Sequence, residues 1–121
     1  MKLTVQDIFD LNKGLNDLGD KELPIGVAFN VSRIGRIIGD EYKTASGLRS
    51  KIVERYKEKE LEDGSIRLKK DKLDEFNREI DKLTEQEVKV DIQKINLSDL
   101  ESISVTPKTL GLIHKIIKED E

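Results

Sequence analysis

The fold is decided by one long stretch, which runs from Pro24 to about Glu60 as PIGVAFNVSRIGRIIGDEYKTASGLRSKIVERYKEKE. Its apolar residues recur at steps of four and three with a single seven-residue skip: Val27, Val31, Ile34, Ile38, Ala45, Leu48 and Ile52. This heptad-like spacing predicts one amphipathic helix, and Pro24 suits its first turn. A helix of this length would be roughly 50 Å long, so the rest of the chain must be arranged around it.

The glycines of this stretch leave two questions open. A helical glycine costs about 1 kcal/mol relative to Ala, so a kink or break between Gly35 and Asp40 is one alternative to a continuous helix. Small residues also form a stripe with steps of four, three and four, which comprises Ala28, Ser32, Gly35 and Gly39. The stripe predicts that another helix, from the same chain or from a second copy, packs closely there.

A shorter helix is predicted before the long one, from Thr4 to Gly19. Thr4 and Asp7 have the spacing of a capping box, and Gly19 stands where a left-handed C-terminal cap would end the helix. The apolar residues between them recur mostly at helical spacing. This segment therefore predicts an N-terminal flanking helix.

After the long helix, the sequence predicts a turn at Glu62–Ser65 and a short strand at Ser65–Leu68. Asp71 is placed to cap a further helix. The apolar residues of that helix are spaced three, four and three, and they are Leu73, Phe76, Ile80 and Leu83. Because the connection is short, we expect this helix to pack antiparallel on the long one and to form a helical hairpin.

The last part of the chain changes period. Val88, Val90 and Ile92 alternate with charged residues and predict a strand, and Ile103 with Val105 predicts a second. Thr106 and Pro107 then have the chemistry of a helix start. The final helix would have an apolar face of Leu110, Ile113, Ile116 and Ile117, and its acidic end, Glu119–Glu121, would fray.

These elements predict a mostly α (α+β) fold in one domain, residues 1–121. It has a long helix with an antiparallel hairpin partner, flanking N- and C-terminal helices and a small β element.

The chain has no Cys, which excludes disulfides, thiolate nucleophiles and Cys-ligated zinc. No apolar run reaches the roughly 18 residues of a membrane span, and the first residues do not resemble a signal peptide. We therefore expect a cytoplasmic protein without membrane contact.

The sequence contains no recognisable set of catalytic residues. His114 is the only histidine, and no second His or carboxylate lies three or four residues away to complete a metal site. The serines lack the context of a nucleophile elbow, and no phosphate-binding glycine loop is present. We expect a non-enzymatic protein that needs no cofactor and no metal.

The charged residues suggest where a partner would bind. The candidate partner-binding residues are the basic side chains Arg33, Arg36, Arg55, Lys59, Arg67, Lys69 and Lys70. The net charge of −3 and the lack of interleaved aromatic residues argue against a nucleic-acid footprint. A protein partner is favoured, and self-association is left open by the small-residue stripe.

Several motifs together resemble a known group of proteins. They are LPIGVAF at residues 23–29, EDGSI at 62–66, NLSDL at 96–100 and VTP at 105–107. In this order they resemble small uncharacterised proteins encoded by phages and prophages of Gram-positive bacteria, over most of the chain from Leu23 onward. The resemblance implies a phage-type accessory protein in the host cytoplasm, which binds or inhibits a host or defence protein. The alternatives are a phage assembly or structural protein and a nucleic-acid-binding accessory protein.

Overall fold

The structure is a computed structural model that describes residues 1–119, and its fold is mostly α with small β elements. The elements in chain order are β1 (Lys2–Thr4), α1 (Val5–Gly19), α2 (Ile25–Tyr56), β2 (Lys57–Glu60), β3 (Ile66–Leu68), α3 (Leu73–Thr84), β4 (Glu87–Lys89), β5 (Ile95–Asn96), α4 (Pro107–Ile113) and β6 (Ile117–Lys118). The predicted fold class is confirmed. The predicted fraying concerns the acidic end, Glu119–Glu121; Glu119 lies outside any helix, and Asp120 and Glu121 lie outside the described residues.

The long helix is continuous. α2 comprises 32 residues, or roughly 48 Å at the α-helical rise, and it passes through Gly35–Asp40 without a break. It ends at Tyr56, so the prediction of helix to Glu60 is wrong. The reason is a long-range pairing: β2 pairs antiparallel with β3 across a turn in which Gly64 has a φ of 87°. A backbone committed to this hairpin cannot continue the helix.

The start of α1 confirms the predicted capping box. The Thr4 hydroxyl oxygen accepts a hydrogen bond from the Asp7 amide at 3.1 Å, and the Asp7 carboxylate accepts one from the Thr4 amide at 2.9 Å. The predicted left-handed cap at Gly19 is wrong, because Gly19 is the last residue of α1 and Asp20 follows with a φ of −83°. Among the described residues, only Gly64 has a positive φ.

The core forms where α1 covers the N-terminal half of α2. Its buried members from these two helices are Ile8, Leu11, Leu15, Leu18, Val31, Ile34 and Ile38. A smaller cluster follows along α2, where Ala45 is buried with Val5 and Leu83. The apolar line of α2 is therefore covered by α1 first and by α3 further along.

α3 packs antiparallel on the C-terminal half of α2, as predicted. The Phe76 ring meets the Tyr56 ring edge-on, with the centroids 5.9 Å apart, and Leu83 reaches the buried cluster of Ala45. Leu73 is 42% exposed, so it lies outside the predicted seam. The predicted cap at Asp71 is also wrong, because residues 70–72 form a 3₁₀ turn and α3 has no side-chain cap.

The C-terminal part differs most from the sequence prediction. β4 pairs antiparallel with β1, which confirms the predicted strand at Val88, but β4 ends at Lys89, so the prediction that it extends to Ile92 is wrong. No strand forms at Ile103 or Val105; instead, β5 pairs in parallel with β6. α4 begins at Pro107 with the predicted Thr106 cap, but it ends at Ile113. Ile116 and Ile117 therefore lie in a 3₁₀ turn and in β6, and the predicted longer helix is wrong.

A close helix approach exists, but at a different glycine from the predicted ones. A Cβ atom added at Gly14 would lie 2.5 Å from Ile113 Cγ2 and 2.9 Å from Leu112 Cβ, whereas one added at Gly35 or Gly39 would meet nothing within 4 Å. Gly14 thus lets α4 pack on α1. The predicted packing of a helix of the same chain on Gly35 and Gly39 is wrong, since no neighbouring atom comes within 4 Å of an added Cβ at either position.

The contrast between two glycines can be tested by adding one methyl group. Gly14→Ala should lower the free energy of unfolding by about 1 to 2 kcal/mol, because overpacking outweighs the gain in helix propensity. Gly47→Ala is the matched control: nothing lies within 4 Å of its added Cβ, so stability should rise by up to about 1 kcal/mol. Chemical denaturation followed by circular dichroism measures both. Stabilisation by Gly14→Ala would contradict the close approach.

A second prediction concerns pH and the start of α1, where Lys115 Nζ donates to the Asp7 carboxylate at 2.8 Å. Partial burial raises the pKa of Asp7, but the hydrogen bonds from Lys115 and Thr4 outweigh it and hold the pKa below its ordinary value. Such a carboxylate stabilises the fold above its unfolded pKa and loses this effect as the pH falls through its folded pKa. We expect the free energy of unfolding to decrease as the pH is lowered below about 4.

Asp7→Asn should make this acid-side decline shallower and should lower stability at pH 7. Lys115→Met should change the profile in the same direction, because it removes one of the donors to Asp7. Denaturant unfolding between pH 2 and 7 gives both profiles. A decline in Asp7→Asn as steep as in the original protein would contradict the role of this carboxylate.

Candidate functional site

The candidate site begins at the N-terminal half of α2, on the side that points away from the core. Ile25 is 88% exposed and Phe29 is 59% exposed, although both are large apolar residues. The Arg33 guanidinium carbon lies 4.9 Å from the centroid of the Phe29 ring. The three residues follow each other at steps of four and therefore lie along one side of the helix.

The same side of α2 continues towards its C-terminal half as a basic surface. We define the basic face as the exposed residues Ile25, Phe29, Arg33, Arg36, Asp40, Lys43, Gly47 and Lys51. Within residues 1–119 neither Arg36 nor Asp40 belongs to an ion pair. α2 as a whole contains six Lys and Arg residues and three acidic residues, although the chain has a net charge of −3. The positive local charge of α2 favours a partner surface that is acidic or that carries charges of both signs.

A groove lies beside the basic face, between α1 and α2. It has a volume of about 310 Å³, and its lining includes Asn12, Asn16, Ala28, Ser32 and Gly35. The predicted small-residue stripe of α2 therefore forms part of the groove wall. The groove is open and mixed in polarity, which suits a contact surface better than an enclosed small-molecule site.

The remaining basic residues are gathered near the other end of α2. We define the distal arm as residues 57–72, which include the β2–β3 hairpin and the 3₁₀ turn. Lys59 lies opposite Arg67 in the hairpin register, and Lys69 and Lys70 follow directly. The Glu58 carboxylate lies 3.9 Å from the Arg67 guanidinium group, so the positive charge of the arm is partly neutralised.

Arg55 has a different role from the other predicted site residues. Its guanidinium group forms an ion pair with Glu79 of α3. The hydrogen bond between Tyr56 and Glu79 raises the pKa of Tyr56, and together with Arg55 it lowers the pKa of Glu79. This network joins α2 to α3, so Arg55 is engaged within the fold.

The seven predicted residues are all exposed, but the structure does not bring them to one place. Arg33 and Arg36 belong to the basic face, while Lys59, Arg67, Lys69 and Lys70 belong to the distal arm. Arg33 and Arg55 are separated by 22 positions of one helix, which corresponds to about 33 Å. A compact partner would therefore contact one group or the other.

Sequence reasoning missed the two apolar residues of the basic face. Phe29 falls outside the apolar line of α2, four residues before Arg33, and Ile25 precedes it by four. An aromatic residue on the charged side of an amphipathic helix was the available signal. The structure adds that no other element covers it.

His114 and the acidic side chains are the remaining candidates for a catalytic or metal-binding role. His114 is exposed, and its Nδ1 lies 2.7 Å from the Gly111 carbonyl oxygen. Within residues 1–119 no three His, Cys, Asp or Glu side chains are grouped to hold a metal ion. None of the helices described has the length and apolar character needed to cross a membrane.

No protein-family model, curated protein sequence or solved structure matches this chain. The resemblance to phage and prophage proteins therefore rests on the quoted sequence motifs alone.

If the basic face serves a partner, its apolar residues should contribute little to folding. Phe29→Ser should change the free energy of unfolding by less than about 1 kcal/mol, because the side chain is mostly in solvent. Ile34→Ala, on the buried side of the same helix and 1% exposed, should cost about 2 to 5 kcal/mol. Denaturant unfolding compares the two variants. A loss above 2 kcal/mol in Phe29→Ser would show that Phe29 belongs to the core.

Proposed function

We propose that this protein acts without catalysis, by binding another protein through the basic face of α2. The observation that carries the proposal is the exposed pair Ile25 and Phe29 with Arg33 stacked on the Phe29 ring. Aromatic and Arg side chains dominate the binding energy of protein interfaces. A large apolar side chain exposed beside them is the usual centre of such a contact.

The charge distribution favours a protein over a nucleic acid as the partner. Asp40 interrupts the cations of the basic face, and Phe29 is the only aromatic residue of that face. On the distal arm, Glu58 lies beside Arg67. Sequence-independent nucleic-acid binding needs a continuous positive surface and several stacking aromatic residues, and both surfaces lack this combination within residues 1–119.

The resemblance supports a more specific version of the proposal. It is that of a phage-type accessory protein in the cytoplasm of a bacterial host, which binds or inhibits a host or defence protein. A phage assembly or structural protein is the second candidate, because a face that binds protein would serve assembly equally well. This step rests on analogy to proteins with similar motifs.

Site-specific photo-crosslinking tests the proposal. A photoreactive amino acid replaces Arg36 on the basic face, and in a matched control it replaces Asn77, an exposed residue of α3. The full chain is expressed in Gram-positive cells and irradiated. We expect covalent protein adducts from position 36 and few or none from position 77, because only the basic face is covered by a partner.

The adducts also separate the alternatives. Their masses, read by mass spectrometry, distinguish a second copy of this chain, a host protein and a phage structural protein. Equal labelling at positions 36 and 77 would contradict a specific interface. Nucleic-acid adducts from Lys70 of the distal arm, without protein adducts from position 36, would favour the nucleic-acid alternative.

A further inference from the structure

We infer that a second copy of this chain binds the basic face. The two α2 helices lie antiparallel, and the twofold axis crosses between them at the level of residue 38 along the helix. The inference rests on the proposed function, because it names the occupant of the same face. It also goes beyond that function, because it fixes the orientation and the contacting residues. Four exposed residues along α2 are arranged to form such a contact.

These four residues, Phe29, Arg36, Asp40 and Gly47, lie on one line of the helix. At about 100° per residue, they fall within about 40° of each other around the axis. All four are exposed. A second helix laid along this line would therefore contact every one of them.

Two copies of this line of residues are complementary to each other when the helices run antiparallel. Phe29 and Gly47 lie nine positions before and after residue 38, and Arg36 and Asp40 lie two positions before and after it. An antiparallel pair centred there places each residue against its complement in the other copy. Because the contact is isologous, each pairing occurs twice.

Shape supports this register. A Cβ added at Gly47 would meet nothing within 4 Å, so nothing within the chain requires a glycine there, although glycine weakens a helix. A residue without a side chain leaves room for the ring of Phe29 from the second copy. One contact between the two copies would account for both the exposed ring and the glycine opposite it.

Although the basic face carries four Lys and Arg residues and one Asp, the charges at the centre of the line support the same register. Arg36 and Asp40 form no ion pair among the described residues, and the twofold arrangement places opposite charges at both contacts. Arg33 of one copy and Lys43 of the other would lie at the same level along the helix pair, but the two positions are about 80° apart around the helix. Their charges therefore lie on opposite flanks of the contact, where solvent screens them.

A single pair of helices makes a contact at the small end of protein interfaces. We therefore expect reversible association in the micromolar range rather than an obligate dimer. The two distal arms would point to opposite ends of the pair and stay exposed. Lys69 and Lys70 would then remain available to another molecule.

Sedimentation equilibrium of the purified full chain, from about 1 to 500 µM, tests the inference. The original protein should show a monomer–dimer equilibrium. Arg36→Asp or Asp40→Arg alone should weaken it at least tenfold, because like charges then face each other twice. Mixing the two single variants, or combining both changes in one chain, should restore association, because opposite charges face each other again.

A second pair of variants separates loss of the contact from loss of folding. Gly47→Leu should abolish the dimer while the monomer keeps or raises its melting temperature, since the added side chain has open space in the monomer. Gly111→Leu adds the same side chain to α4, where an added Cβ also meets nothing within 4 Å, and should leave association unchanged.

Three results would overturn the inference: a monomer throughout the concentration range, single reversals without effect, or no recovery in the mixture. A monomeric protein that still gives adducts with another protein from position 36 would refute the dimer and leave the proposed function standing. A dimer that ignores all of these variants would place self-association on another face, and the inference would again be wrong.

Discussion

The structure depends on burying one side of a single long helix. Of the 32 residues of α2, the buried ones are Val31, Ile34, Ile38 and Ala45, and they all lie on one side. α1 and α3 have 15 and 12 residues, so together they are roughly 40 Å long against roughly 48 Å for α2. Arranged one after the other along the apolar line, they cover one side of the helix and leave the opposite side in solvent.

This arrangement explains why the surface of α2 is the most informative part of the molecule. The hydrophobic effect accounts for the residues that face α1 and α3, but it does not account for Ile25 and Phe29, which lie outside that contact. Helix propensity does not account for Gly47, which is exposed and contacts no neighbouring element. Residues that folding does not require are the ones that binding can explain. The distal arm, by contrast, is stabilised by its own hairpin, and the Arg55–Glu79 pair joins α2 to α3.

Local physics made much of the fold predictable. Apolar spacing located α1, α2 and α3, and the chemistry of Thr4 and Thr106 located two helix starts. The errors occur where distant residues decide the outcome: residues 57–60 leave the helix because they pair with β3, and residue 117 leaves it because it pairs with β5. Spacing showed which glycines share a side of α2, but only packing shows that Gly14 is the one approached. Likewise, the sequence identified seven basic candidate residues. That they lie on two separate surfaces follows from the length of α2.

The central claim is that α2 is one unbroken helix with one side in the core and the other side free to bind protein. Nitroxide spin labels placed one at a time at positions 27–53, in a chain that has no native Cys, measure this directly by electron paramagnetic resonance. In dilute protein, label mobility should oscillate with the helical period without a gap at 35–40, and it should be highest along positions 29, 36, 40 and 47. At high concentration or with a captured partner, labels at positions 33 and 43, on the flanks of this face, should lose mobility while labels on the core side stay unchanged. A loss of periodicity at 35–40, or immobilisation elsewhere in its place, would contradict the account.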